Sequence, residues 1–157
     1  MLKRFIFLCA MTAGTTALAI DGPVDEQDAV SRWEENPTII FDASEVDLAA
    51  FKWIARPVVV FADTPADPAF KRQMELLSSR LDELAERDVV LITDTSPDED
   101  SDIRTKLRPR GFMLTLIGKD GGVKLRKPLP WDVRELTRSI DKMPLRLDEI
   151  REQQEGR

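Results

Sequence analysis

The chain has 157 residues, one cysteine, no histidine and no tyrosine; 33% of its residues are charged and its formal net charge is −6 at neutral pH. That length suits a single domain with a real core. Without histidine the chain lacks the side chain that ordinarily moves protons near pH 7, and its lone thiol, Cys9, permits no internal disulfide, dithiol redox pair or thiolate zinc site.

Residues 1–19 read as a secretion signal. Lys3 and Arg4 form a positive start, Phe5 to Met11 an apolar run, and Ala17-Leu18-Ala19 a small-residue site that predicts cleavage after Ala19. The apolar run is far shorter than the ~20 residues of a membrane-spanning helix. No second run of that length follows, so no membrane span is expected, and the predicted localisation is periplasmic or secreted. Leu8 before Cys9 does not suit a lipoprotein site. Removing the leader removes the only thiol, which excludes Cys–His catalysis and thiol redox work for the processed chain.

Residues 20–45 read as an acidic N-terminal arm, polar and without periodicity from Asp21 to Pro37. Asn36 precedes Pro37, which breaks the glycosylation pattern. The domain proper is expected over 46–155. Charge is uneven along it: Ile20 to Asp102 holds 21 acidic and 7 basic residues, whereas Ile103 to Lys127 holds 8 basic residues and one acid, Asp120.

The first strand is Pro57-Val58-Val59-Val60-Phe61-Ala62, apolar at every position, as a strand covered on both faces must be. Asp67 then caps a helix with Pro68 at its first turn. Phe70, Met74, Leu77, Leu81 and Leu84 predict one amphipathic helix with a continuous core stripe. Val89 to Thr93 is a second buried strand, parallel to the first through a βαβ crossover. A short helix over Asp102 to Leu107 is halted by Pro109. Phe112 to Ile117 is a third strand. Asp120-Gly121 marks a tight hairpin, and Val123 to Arg126 an edge strand with one wet face. Asp132 and Glu135 predict a capping box, with Trp131 and Leu136 as a hydrophobic staple. Val133, Leu136, Ile140 and Met143 form the buried face of that helix, and Pro144 stops it. A last short helix from about Leu145 to Gln153 is expected to pack through Leu147 and Ile150.

This order, β-α-β-α-β-β-α with a central mixed sheet flanked by helices, resembles the thioredoxin-like α/β fold. Arg110-Gly111-Phe112-Met113-Leu114-Thr115-Leu116, followed by Lys119-Asp120-Gly121, resembles the thioredoxin stretch Arg-Gly-Ile-Pro-Thr-Leu-Leu followed by Lys-Asn-Gly. The family's Cys-Gly-Pro-Cys falls at Pro65-Ala66-Asp67-Pro68, and its cis-proline at Met113. The fold is implied without the dithiol activity. From Phe51 to Arg151 the chain also resembles domain-of-unknown-function family 4174, a bacterial exported, thioredoxin-like family similar to modules of animal matrix-associated proteins. The segments that carry this are Arg56-Pro57-Val58-Val59-Val60-Phe61, Arg87-Asp88-Val89-Val90, Gly118-Lys119-Asp120-Gly121-Gly122-Val123-Lys124 and Ile140-Asp141-Lys142-Met143-Pro144-Leu145-Arg146. The resemblance implies a fold and export; it implies no reaction.

Two candidate sites follow. One is a cleft at the redox-site position, formed by Asp63, Thr64, Pro65, Asp67, Pro68, Asp94 and Met113, where strand ends in open α/β sheets gather ligands. Against it, Asp67 is explained as a helix cap and Asp63 as a solvated strand end. The other is a basic patch, Arg108, Arg110, Lys119, Lys124, Arg126 and Lys127, joined by Arg104 and Lys106, for docking an acidic partner. Against it, basic side chains on an edge strand also deter unwanted pairing. Asp98, Asp100 and Asp102 mimic the opening of a calcium loop, but Ile103 and Pro109 occupy its glycine and glutamate positions, so no metal is expected. Trp53 is expected under the first strand. Trp33 is assigned to the core or to docking of the arm. The leading reading is an exported, non-redox binding module for an unknown protein or anionic ligand of the cell envelope, with no cofactor and no nucleic acid. The second is a cofactor-free enzyme using Asp63, Asp67 or Asp94.

Overall fold

Strands without polar alternation must be covered on both faces. In the computed structural model, which describes residues 28–156, the two apolar runs lie side by side at the centre of a five-stranded sheet. The elements run α1 (Ala29–Glu35), β1 (Ile40–Asp42), β2 (Arg56–Phe61), α2 (Pro68–Ser78), α3 (Leu81–Ala85), β3 (Val89–Asp94), α4 (Asp102–Leu107), β4 (Met113–Ile117), β5 (Val123–Lys127), α5 (Val133–Asp141) and α6 (Pro144–Glu155). Short 3₁₀ turns occupy Ala43–Glu45, Leu48–Phe51 and Pro97–Glu99. The strand order is β1-β3-β2-β4-β5. β2 runs parallel to β3, pairing Val58 with Leu91 and Val59 with Ile92, while β4 is antiparallel to β2 and β5 to β4. The expected mixed thioredoxin-like sheet is therefore formed.

Successive residues of β2 feed opposite cores. Val59 and Phe61 join Trp33, Phe41, Phe51, Ile92, Ile103 and Leu107 under α1 and α4. Val58 and Val60 join Leu77, Leu84, Leu114, Leu116, Val133, Leu136 and Ile140 under α2, α3 and α5.

Five local expectations are corrected. Residues 28–45 of the expected arm belong to the fold; the rest of the arm and the leader, with Cys9, lie outside the described residues. α1 buries Trp33, whose Nε1 donates to the Val89 carbonyl at 3.3 Å. β1 pairs parallel to β3, and its Phe41 is fully buried. One such side chain contributes about 2–3 kcal/mol, enough to anchor a strand of only three residues. The single helix over Phe70 to Leu84 is broken: Ser79 Oγ donates to the Leu76 carbonyl, and Arg80 leaves the helix at φ −143°. Leu77 and Leu84 nevertheless stay in one core. Trp53 lies on the surface, 62% exposed, in a left-handed conformation at φ 68° held by donation from its amide to the Lys119 carbonyl. Asp132 caps α5 through the Arg134 amide, but Glu135 pairs with Arg138 and completes no capping box.

The fifth concerns α6, which docks through charge. Its only buried residue is Arg146, and Leu147 faces solvent. Glu149 accepts from Arg56 at 2.9 Å, from Lys119 at 2.8 Å and from Arg146 at 3.2 Å. Burial pushes the Glu149 carboxyl up, but hydrogen bonds from Arg56, Lys119 and Arg146 outweigh it and hold it at about 2. Nearby, Arg87 forms a bidentate pair with Asp141, both contacts at 2.9 Å. Among the described residues no helix is long and apolar enough to cross a membrane.

A group whose folded pKa is depressed stabilises the protein above its unfolded value and loses that contribution as pH falls. Glu149 therefore contributes fully above about 4.5 and loses its contribution between there and about 2. Glu149→Gln should lower stability at neutral pH and flatten the acid limb in that window, read by urea unfolding at stepped pH. An unchanged acid limb counts against the network. The buried Thr115 hydroxyl on β4 has no hydrogen-bond partner among the described residues. Thr115→Val should raise stability by about 1 kcal/mol, seen as a higher denaturant midpoint at constant m-value; a lower midpoint refutes this.

Candidate functional site

β2 and β3 end together, Phe61 opposite Asp94, so their C-terminal ends and the turn into α2 make one corner of the molecule. Asp63, Thr64, Pro65 and Ala66 are exposed there. Asp67 accepts from the Ala69 and Phe70 amides, with Pro68 at the first turn, so its carboxylate serves the α2 N-terminus. Met113 begins β4 opposite Phe61 and is half-buried. Gly111 bends past Asp63 at φ 62°, a conformation that favours glycine.

Asp94 is different. It is 3% exposed, and Arg104 of α4 bonds its Oδ1 through Nε at 3.0 Å and Nη2 at 2.7 Å. Ser101 Oγ donates to Oδ2 at 2.6 Å. The same Arg104 Nη2 donates to the carbonyls of Ala62 and Asp94, tying the ends of β2 and β3 together, and its guanidinium stacks over Phe61. Ser101 also caps α4 by accepting from the Arg104 amide. The three carboxylates thus have three separate fates: Asp63 in solvent, Asp67 on a helix end, Asp94 inside an ion pair. The arrangement provides no pair of carboxylates sharing a proton, and Asp94 has no free face for a substrate. A wide acidic depression of about 650 Å³ lies between α1, the Ala43–Glu45 turn and Asp102, where Arg32 pairs with Glu45. The Asp42 amide and Arg32 hold the Glu45 carboxyl below its usual range. No group of three or more potential metal ligands exists among the described residues.

The basic residues do not form one patch. Lys119, 14% exposed, is consumed by Asp88 at 2.7 Å and by Glu149. Lys124 bridges to Asp120 at 2.6 Å over Gly118, where an added Cβ would lie 2.5 Å from Lys124 Cε. That bond and the Gly122 amide hold the Asp120 carboxyl below its usual range. Lys127 stacks on the Trp131 ring at 4.5 Å, on the α5 face. Arg126 turns to the other face, donating to the Leu107 carbonyl at the end of α4. Arg108, the left-handed cap of α4, is exposed there, and Arg110 is exposed in the loop that follows. The structure therefore brings Arg126 to the α4 end that carries Arg108, leaves Arg110 exposed before β4 and Lys124 and Lys127 on the edge strand, and ties Lys119 to Asp88 and Glu149.

Residues 47–149 match the model of the family described as Domain of unknown function (DUF4174). The chain belongs to that family. No curated protein matches it. Among solved structures, a yeast mitochondrial 1-Cys peroxiredoxin shares 19% identity and a TM-score of 0.50, covering 68% of this chain and 97% of that one. A mitochondrial 2-Cys peroxiredoxin from Plasmodium falciparum shares 18% identity and a TM-score of 0.46, covering 61% and 79%. At this identity the likeness to the yeast protein shows the thioredoxin fold alone. In this DUF4174 domain no cysteine or histidine occurs in residues 28–156.

Two roles escaped sequence reasoning. Arg56 is 1% exposed at the start of β2, and Glu149 is its partner on the helix expected to pack through Leu147 and Ile150. No periodic signal links them; the excess of buried cation at Arg56 is visible only once α6 is placed. Arg104 was legible as basic but not as the partner of Asp94.

Removing Arg104 leaves a buried uncompensated carboxylate, which costs about 3–5 kcal/mol. Arg104→Ala should therefore destabilise by that order, and Asp94→Asn added to it should recover a large part of the loss, measured by chemical denaturation. Equal instability of the single and double variants would show that the pair does not close the corner.

Proposed function

We propose that this chain is an exported, non-redox thioredoxin-like module that binds an anionic partner in the cell envelope through the basic hairpin and the α4 end beside it. The observation that supports this most is the sealed corner. Where the thioredoxin fold keeps its dithiol, this chain has Pro65-Ala66-Asp67-Pro68, and the one acidic group arriving from β3 is held by Arg104. With neither thiol nor free carboxylate pair at that position, surface recognition is the chemistry left to the fold. Arg108, Arg110 and Arg126 are exposed, and Lys124 and Lys127 present positive charge on the other face of β5. The leader pattern over 1–19 supports export and, with it, loss of Cys9.

The processed chain should not accelerate insulin reduction beyond dithiothreitol alone; catalysis in a pure sample would refute the non-redox reading. Immobilised residues 20–157 should capture an envelope component, and the variant K124E/R126E/K127E should lose it. Undiminished capture by the folded variant removes this surface.

A further inference from the structure

We propose that β5 receives an acidic, extended segment of a partner protein as a sixth strand of the sheet; this rests on the reading of the chain as a binding module for an anionic partner. Among the described residues β5 stands at the end of the strand order, paired only to β4. Among the described residues, no backbone group of Val123–Lys127 takes part in a backbone hydrogen bond outside that pairing. Its outer edge is a row of donors and acceptors that an added strand satisfies. The opposite edge, β1, has three residues and carries the acid Asp42.

The side chains select the occupant. β5 contains Lys124, Arg126 and Lys127 and no carboxylate. Two copies of β5 laid edge to edge would set these cations against each other, which is unfavourable for directly opposed residues. An acidic strand meets complementary charge on both faces of the sheet, Arg126 on the α4 face and Lys127 on the α5 face. The strand's first residue, Val123, is an exposed apolar side chain at this edge. On the α5 face a cleft of about 300 Å³ opens alongside the strand, walled by Leu116, Leu125, Met143 and Pro144 with exposed Lys124 and Lys142 at its mouth. Lys142 has no ion-pair partner among the described residues. The partner segment is thus defined by chemistry: acidic residues alternating with aliphatic ones, which in either facing set the acids beside a cation, Arg126 on the α4 face or Lys127 and Lys142 on the α5 face.

The test uses residues 20–157 and a synthetic capped peptide of alternating glutamate and valine. Amide hydrogen exchange should show new protection within Val123–Lys127 on binding. N-methylating the peptide amides along one edge should weaken affinity roughly tenfold or more, because added strands bind through the backbone. A lysine–valine peptide should not bind. Since N-methylation alters only the peptide, no folding defect of the protein can mimic its effect. Binding that survives methylation on both edges in turn, or that protects no amide of β5, overturns strand addition while leaving an anion-binding surface. No binding of the parent peptide at millimolar concentration also overturns strand addition. If K124E/R126E/K127E binds the peptide as tightly as the parent, the anionic-partner reading itself fails. Concentration-dependent protection of β5 without peptide identifies a second copy as the occupant and overturns the proposal.

Discussion

Every residue of β2 is buried, including the arginine that begins it. A strand with no wet face needs layers on both sides, and the molecule supplies them: α1, α4 and the 3₁₀ turns over one face, α2, α3 and α5 over the other. The same burial forbids an unpaired charge at either end of the strand. At its N-terminal end the Arg56 guanidinium must find an anion, and Glu149 of α6 provides it. At its C-terminal end the corner shared with β3 holds Asp94, and Arg104 neutralises it. Both ends of the sheet are finished by ion pairs because the strand between them leaves charge nowhere else to go.

The two ends are finished differently. At the Arg56 end the charges form a lattice of Arg56, Lys119, Arg146 and Glu149, which replaces an apolar face as the means of docking α6. At the Asp94 end one arginine closes the gap between two strand ends and reaches the Ala62 carbonyl. That closure fills the position at which open α/β sheets ordinarily present ligand-binding groups. The exposed basic side chains Arg108, Arg110 and Arg126 lie away from it, at the end of α4, in the loop after it and on the edge strand.

Legibility from sequence followed the periodicity of each segment. The central strands, the Asp67 cap, the hairpin and the buried face of α5 were readable because each repeats a pattern or carries a local turn signal. β1 was not, since three residues show no period and its role rests on the burial of Phe41. The break between α2 and α3 was hidden because the apolar spacing continues through it. Of the candidate cleft, Asp67 was rightly suspected as a cap. Asp94 was readable as a strand end and not as a buried ion, because its partner is an arginine on a helix that sequence placed among exposed basic residues.

By itself the sequence determined the paired buried strands, since an unbroken apolar run admits no other environment, and it excluded histidine chemistry and any dithiol, since those need atoms the chain lacks. Tertiary structure alone decided which charges face water. Arg56 and Glu149 stand 93 positions apart, and Asp94 and Arg104 meet only when α4 folds back over the strand ends. Ionic pairing depends on distances of a few ångströms between groups whose separation along the chain carries no information about it. The basic segment that reads as one surface was for that reason divided into an interior lysine, a strand edge and a helix end.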